Sequence, residues 1–261
     1  MGLVRHDEMY VEGARFFVAT VDILGVPFSA STENEVFDQC IAFMGDSKPH
    51  FVITAGPEFV MKVGADLELQ HALAAADLIT PDGIGIVIAS RWYSQPLVER
   101  VTGVDLAQAL LAYTAQMGLR VYVLGASEHS LQRALAKIRE TYPTLHIAGQ
   151  NGYFKRESIM DVIAAIRVEA PHLLLVGLGQ PVQEKFLATH MDVLGIPLAI
   201  GVGGAIDVLG GTVKRAPVLF QKAKLEWLYR LLKEPSRVRR QMALPRFAIA
   251  AWWDAKNQVR G

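Results

Sequence analysis

A few residues carry types and spacings that could do chemistry. Asp82 stands in Thr80-Pro-Asp-Gly83, directly after the apolar run DLIT (77–80). A carboxylate at the end of a strand can face a pocket and take a proton as a general base. Thr54 closes a neighbouring run, FVIT (51–54), and could hold the reacting partner in place. Pro-Asp-Gly is equally an ordinary turn, so these residues alone leave both roles open. Two glycine pairs follow apolar runs, Gly177-Leu-Gly179 and Gly201-Val-Gly203-Gly204. They could hold a diphosphate at a helix N-terminus, or they could be needed for tight strand–helix packing. Neither completes G-x-G-x-x-G, because Val182 and Ile206 take the last position, and no P-loop or G-x-S-x-G elbow is present. Tyr153 and Phe154 follow the turn Asn151-Gly152, where an aromatic ring can stack on a flat base or simply pack. The seven histidines show no i, i+4 pairing, and neither H-E-x-x-H nor D-x-D occurs, so no metal site is expected.

The charge distribution gives a second signal. The chain has 26 basic and 26 acidic residues in 261, a net charge of zero. Residues 212–261, however, hold 12 Lys or Arg against 3 Asp or Glu, a net of +9, which the −9 of residues 1–211 cancels. In the tail, Lys222, Glu226, Arg230 and Lys233 share one helical face and Leu225, Leu228 and Leu232 another. Arg237, Arg239, Arg240, Phe247, Trp252 and Trp253 follow. Basic residues beside aromatics suit a segment lying in a membrane interface, where anionic lipid adds roughly 1 kcal/mol per basic residue. An ordinary solvated terminal helix is the alternative. Nucleic acid is not an expected partner, because Trp-Trp beside Ala-Ile-Ala is more apolar than such sites need.

The elements that must position these residues are short and alternate in type. FVIT (51–54), DLIT (77–80), RVYVLG (120–125), LHIAG (145–149), HLLLVGLG (172–179) and LAIGVGG (198–204) read as strands apolar on both faces. Helical patterns lie between them at 103–117, 128–141, 157–169 and 181–192, with Gly118 and Pro143 as stops. The β-α-β-α order predicts a Rossmann-like, doubly wound, mainly parallel sheet with helices on both faces. Ligands in such sheets sit beyond the carboxyl ends of the strands, where all six ends here carry small or polar residues. Residues 10–30 read as a small antiparallel β element beside the sheet. The expected organisation is a catalytic α/β domain at 1–211 and a basic amphipathic appendage at 212–261.

Composition narrows the class further. With 51% hydrophobic and 20% charged residues, disorder is excluded for most of the chain. A single cysteine, Cys40, forbids an intrachain disulfide and fits a reducing compartment. The N-terminus shows no apolar signal segment, and no run of about 18 apolar residues exists.

Taken in order, these motifs resemble the WecG/TagA/CpsF family of bacterial glycosyltransferases (glycosyltransferase family 26). The resemblance rests on Ala76-Asp-Leu-Ile-Thr-Pro-Asp-Gly-Ile-Gly85, Glu99-Arg-Val-Thr-Gly-Val-Asp-Leu106, Asn151-Gly-Tyr-Phe154, Leu175-Val-Gly-Leu-Gly-Gln-Pro-Val-Gln-Glu184, Gly201-Val-Gly-Gly204 with Asp207-Val208, and Val213-Lys-Arg-Ala-Pro217 leading to Glu226-Trp-Leu-Tyr-Arg230. It covers about residues 20–240. It implies an inverting, β-forming transferase at the cytoplasmic face of the bacterial membrane. Such enzymes move a sugar from a UDP-sugar donor to a polyprenyl-diphosphate-linked saccharide for a cell-surface polymer, with no metal or other cofactor. By the same resemblance, Asp82 is the general base and Thr54 sits beside it. Arg100 holds polar substrate groups, Tyr153 stacks on the uracil, and Gln183 and Asp207 bind the nucleotide among the amides of Gly179 and Gly203. Arg230, Arg237 and Arg240 hold the lipid diphosphate. Family members usually carry Asn two residues after the Thr; here the position is Gly56, which leaves the donor open between an N-acetylmannosamine type and glucose. Two other readings remain from the residues: a non-catalytic peripheral protein that binds lipid diphosphates, and a nucleotide-dependent oxidoreductase, against which the incomplete glycine fingerprints argue.

Overall fold

The computed structural model describes residues 7–11, 14–213, 216–217, 220, 229 and 242–258, with side chains from residue 19 onward. Arg230, Arg237 and Arg240 lie outside these residues.

Six parallel strands form the central sheet: β5 (His50–Ala55), β6 (Leu78–Pro81), β7 (Arg120–Gly125), β8 (His146–Gln150), β9 (Leu173–Gly177) and β10 (Leu198–Gly201). All six coincide with the apolar runs read from the sequence. Their spatial order is β6-β5-β10-β9-β7-β8, so the last strand inserts between β5 and β9. Two antiparallel hairpins precede the sheet, β1 (Asp7–Val11) with β2 (Ala14–Val18) and β3 (Thr20–Ile23) with β4 (Val26–Ser29). The second turns through Leu24 and Gly25, both at positive φ.

Parallel strands need covering on both faces, and the side-chain alternation shows how. Phe51, Ile53 and Ala55 of β5, with Tyr122, Leu124, Leu174 and Val176, point into one core. That core is closed by α2 (Pro57–Val63), α3 (Leu67–Ala75), α7 (Ile159–Glu169), α8 (Val182–Leu194) and the last helix, α10 (Ala243–Gln258). Val52, Val121, Val123, Leu173, Leu175 and Ile200 point into the other. It is closed by α1 (Glu33–Gly45), α5 (Gly103–Gln116), α6 (Glu128–Thr141) and α9 (Ala205–Leu209). The short α4 (Ile84–Ser90) follows β6. Helix starts are set by side-chain caps: Thr32 with Glu35 forms a capping box for α1, and Thr102 and Ser127 cap α5 and α6. Each such cap is worth about 1 kcal/mol.

At the amino end of the sheet, His50 is clamped between two carboxylates. Its Nδ1 lies 2.9 Å from Asp77 Oδ1 and its Nε2 2.8 Å from Asp46 Oδ2. Burial opposes protonation of the ring, but the bonds to Asp77 and Asp46 outweigh it and raise its pKa. The ring stacks on Phe43. This clamp stands opposite the ligand edge and ties α1, β5 and the approach to β6 together.

Helix α10 packs against the body. Phe247, Ala251 and Ala255 are buried, and Tyr93 Oη donates to Asp254 Oδ2 at 2.8 Å. Its outer face exposes Ile249, Trp252 (42%) and Trp253 (54%). With Trp92 and Ala248 these line a shallow apolar depression of about 350 Å³, and Lys256 Nζ sits 4.5 Å from the Trp252 ring centre. Among the described residues, no helix is long and apolar enough to cross a membrane.

Candidate active site

Read along the carboxyl edge in sheet order, the strand ends present Asp82, Thr54, the Gly203-Gly204 turn, the Gly179-Gln180 turn, Gly125 and Tyr153. The two catalytic candidates come from adjacent strands, since Thr54 pairs with Thr80 in register. The Asp82 amide continues the pairing by donating to the Ala55 carbonyl at 3.0 Å. Gly83 and Gly56 belong to two turns that pack against each other: a Cβ on Gly83 would lie 2.7 Å from Pro57 Cδ. Asp82 is therefore held on a short turn braced by the start of α2. Helix α10 reaches the same place, because a Cβ on Gly85 would lie 3.7 Å from Leu244 Cδ2.

Thr54 is buried and its hydroxyl donates to the Gly201 carbonyl at 2.7 Å. The start of α5 covers it, with Gly103 so close that a Cβ would meet Thr54 Oγ1 at 3.1 Å. The segment leading to α5 runs beside β6: the Val101 amide donates to the Pro81 carbonyl at 3.1 Å. That bond places Arg100, partly buried, one residue from the strand end that carries Asp82.

The glycine pairs divide their labour. Gly177 and Gly201 are packing glycines: a Cβ would meet Ile206 at 2.4 Å and Gln183 Nε2 at 2.8 Å respectively. Gly179 (φ 81°) and Gly203 (φ 53°) adopt left-handed backbone and face open space. Gly125 (φ 139°) is the most constrained, since a Cβ would lie 2.4 Å from the Gly177 carbonyl oxygen. Strands β7 and β9 meet there, and their connections leave in opposite directions, β7 to β8 and β9 to β10. This is a topological switch point, the place where open α/β sheets bind ligands.

Five inter-strand spacings separate the ends of β6 and β8, roughly 24 Å. The loop after β8 folds back over the ends of β7 and β9. The Gly152 amide donates to Ala126 at 2.9 Å, and Gly152 packs on Leu178. Tyr153 is left 83% exposed, its amide donating to Asn151 Oδ1 at 2.9 Å while Asn151 Nδ2 donates to Glu128 Oε2 at 2.8 Å. An exposed ring on a tethered loop is free to stack. Asp207 lies partly buried on α9, directly after the Gly203-Gly204 turn, and its carbonyl accepts from Thr212 Oγ1 at 2.9 Å.

Gln183 is wholly buried (0%). Its Oε1 accepts from the Gly203 amide at 3.1 Å and its Nε2 donates to Glu184 Oε1 at 2.9 Å. It thus acts on the edge through the Gly203 turn. Two residues beside it were passed over in the sequence. Gln180 Nε2 donates to the Thr54 carbonyl at 2.8 Å, joining the β9 turn to β5. Glu184 is buried (1%), and its carboxyl pKa is pushed up to about 7 by burial. The signal available was the clustering: two amides and a carboxyl fall within five residues, Gln180 in the turn after β9 and Gln183 and Glu184 in the first turn of α8. Among the described residues, no three His, Cys, Asp or Glu side chains come together as metal ligands would.

Comparisons with known proteins give the family. Residues 21–261 match the model of the glycosyl transferase WecG/TagA/CpsF family. The chain is similar to a protein of Bacillus spizizenii named N-acetylglucosaminyldiphosphoundecaprenol N-acetyl-beta-D-mannosaminyltransferase, at 36% identity over 80% of each chain. A Staphylococcus aureus protein of the same name is 32% identical over 88% of this chain and 91% of its own. With the parallel sheet, the ordered strand-end motifs and these likenesses together, the chain belongs to the WecG/TagA/CpsF family of glycosyl transferases.

Proposed function

We propose that the protein transfers a sugar from a UDP-sugar to a polyprenyl-diphosphate-linked saccharide, with inversion to a β linkage and Asp82 as the general base. The observation that carries this reading is the carboxyl edge itself: Asp82 and Thr54 stand together at one end of a row of open glycine turns. A single inverting displacement needs one base to take the acceptor hydroxyl proton, so a lone carboxylate is sufficient. The nucleotide lies across the switch point, with Tyr153 against the uracil and the Gly179 and Gly203 turns and Asp207 around the ribose and diphosphate. Gln183 shapes that turn from beneath, and Arg100 meets polar groups of the substrates beside Asp82. Departing UDP gains from amides fixed in place before the reaction and from cationic groups, so the reading requires no metal or other cofactor.

The printed names of the relatives favour an N-acetylmannosamine donor and an acceptor of N-acetylglucosamine on a lipid diphosphate. A glucose donor is kept as a second reading for one reason. A Cβ on Gly56 would meet nothing within 4 Å, so the site has spare room where family members usually carry Asn. Membrane docking from the cytoplasmic side belongs to the same proposal: the exposed Ile249, Trp252 and Trp253 with Lys256 suit an interface, and Arg230, Arg237 and Arg240 supply charge for the lipid diphosphate. The test is UDP release from a panel of UDP-sugars with a polyprenyl-diphosphate acceptor, for the natural chain and Asp82→Asn. Loss of about 100-fold or more is expected in the variant. Near-normal turnover would remove Asp82 from the mechanism.

A further inference from the structure

Glu184 has a position that the reaction as described does not use. It sits in the first turn of α8, is 1% exposed, and leaves Oε2 without a hydrogen-bond partner. A buried carboxyl with one oxygen unsatisfied is costly, and a leucine of similar size would avoid that cost. The Gln180 amide lies beside the carboxyl, but the carboxyl's bond to Gln183 shows what it does. Glu184 Oε1 accepts from Gln183 Nε2, and a side-chain amide has only one acceptor oxygen to offer elsewhere. With its NH₂ committed to Glu184, Gln183 must turn Oε1 toward the Gly203 amide, where it is found. Reversing the amide would set NH₂ against N–H at Gly203, two donors facing each other. Gly201 adds confinement, since Gln183 Nε2 fills the space where a Cβ would stand.

We propose that Glu184 is a positioning residue for donor binding: by fixing the orientation of the Gln183 amide it holds the Gly203-Gly204 turn that leads into Asp207. The donor assignment rests on the UDP-sugar reading above; the amide-orienting role does not. The charged groups around it leave the carboxyl without a cation of its own. From α2, Lys62 faces it, but Lys62 is paired with Glu58 at 2.9 Å. From the start of α3, Asp66 and Glu68 are both engaged by Lys185 of α8. Helix α7 turns its apolar Val162, Ile163 and Ile166 inward, β10 is entirely apolar, and the charged group of β5 is His50 at the far end of the strand. Titration of Glu184 near pH 7 would therefore be felt along the Gln183–Gly203 path, and also at Gln180, which bonds to the Thr54 carbonyl.

The test uses the full chain with Glu184→Leu, which keeps the volume and removes the acceptor, and Glu184→Gln, which keeps an acceptor and cannot ionise. Glu184→Leu should raise KM for the UDP-sugar about tenfold, the scale of one lost buried hydrogen bond, with a much smaller change in kcat. Glu184→Gln should recover most of that loss. Independently of any activity, hydrogen exchange at the Gly203 amide should accelerate in Glu184→Leu and stay slow in Glu184→Gln. The Gly203 amide nitrogen and proton signals should titrate near pH 7 in the natural chain and not in Glu184→Gln. An unchanged donor KM together with unchanged Gly203 protection in Glu184→Leu would overturn the proposal. If Glu184→Leu does not fold, a Gly203 signal that titrates identically in the natural chain and in Glu184→Gln overturns it as well. Absence of UDP-sugar turnover in the natural chain, with Gly203 behaving as expected, would instead sink the functional reading and leave the orienting role in place.

Discussion

Replacing Glu184 by Gln should make the protein more stable at neutral and alkaline pH, and by an amount set by burial. The carboxyl titrates at 4.5 when unfolded and is pushed up to about 7 in the fold, because desolvation disfavours its charged form. Between these values the folded chain keeps a proton that the unfolded chain releases. Folded stability therefore falls as pH rises through this window and levels off above about 7. At ~1.4 kcal/mol per pH unit, the displacement from 4.5 to about 7 amounts to about 3 kcal/mol. The glutamine variant has no such proton to lose. Urea unfolding of both chains at intervals from pH 4.5 to 8 isolates the effect, since every other group is common to both. The difference in unfolding free energy, variant minus natural chain, should climb by about 3 kcal/mol across that range. Parallel stability curves would refute the argument, and would mean that water or a cation satisfies the carboxylate in the folded state.

Other outcomes follow from separate parts of the molecule. Gly125→Ala should destabilise the fold severely, by about 3 kcal/mol or more on thermal or urea unfolding, because its Cβ would collide with the Gly177 carbonyl at positive φ. His50→Gln should cost most stability below the unfolded histidine pKa of about 6.5 and progressively less as pH rises through the raised folded value, since the doubly paired imidazolium contributes only while charged; this is measured as the pH profile of the urea midpoint. Trp252→Ser with Trp253→Ser should weaken co-sedimentation with anionic vesicles while leaving UDP binding intact; unchanged sedimentation would assign those rings to another role.

Much of this arrangement was legible before folding was considered. A strand buried on both faces is a short, mainly apolar run, which made the inner strands legible, and β8 at the sheet edge, with His146 exposed, was read from the same kind of run. Helix stops at Gly118 and before Pro143 were equally local, because each depends on a residue's own backbone preference. The clustering of Asp82, Thr54, Tyr153 and the glycine turns at one edge followed once the strands were taken as parallel, since every strand end then lies on the same side. The short helices α2 and α4 were not picked out: each has only seven residues, too few to display a period.

What only the tertiary structure decided depends on contacts between residues far apart in the chain. The insertion of β10 between β5 and β9 is what lets Thr54 bond to Gly201 and Gln180 to Thr54, at sequence separations of 147 and 126. No local propensity encodes those partners. The two members of each glycine pair looked alike, and only packing separated Gly177 and Gly201, pressed against Ile206 and Gln183, from Gly179 and Gly203, which face open space. Glu184 reads as one more acidic residue on a helix; its low exposure comes from the elements that close over it, and burial is what shifts its proton affinity. The sequence by itself therefore determined which residues stand at the ends of the strands. Three-dimensional packing decided which of them meet, because hydrogen bonds and desolvation act between spatial neighbours.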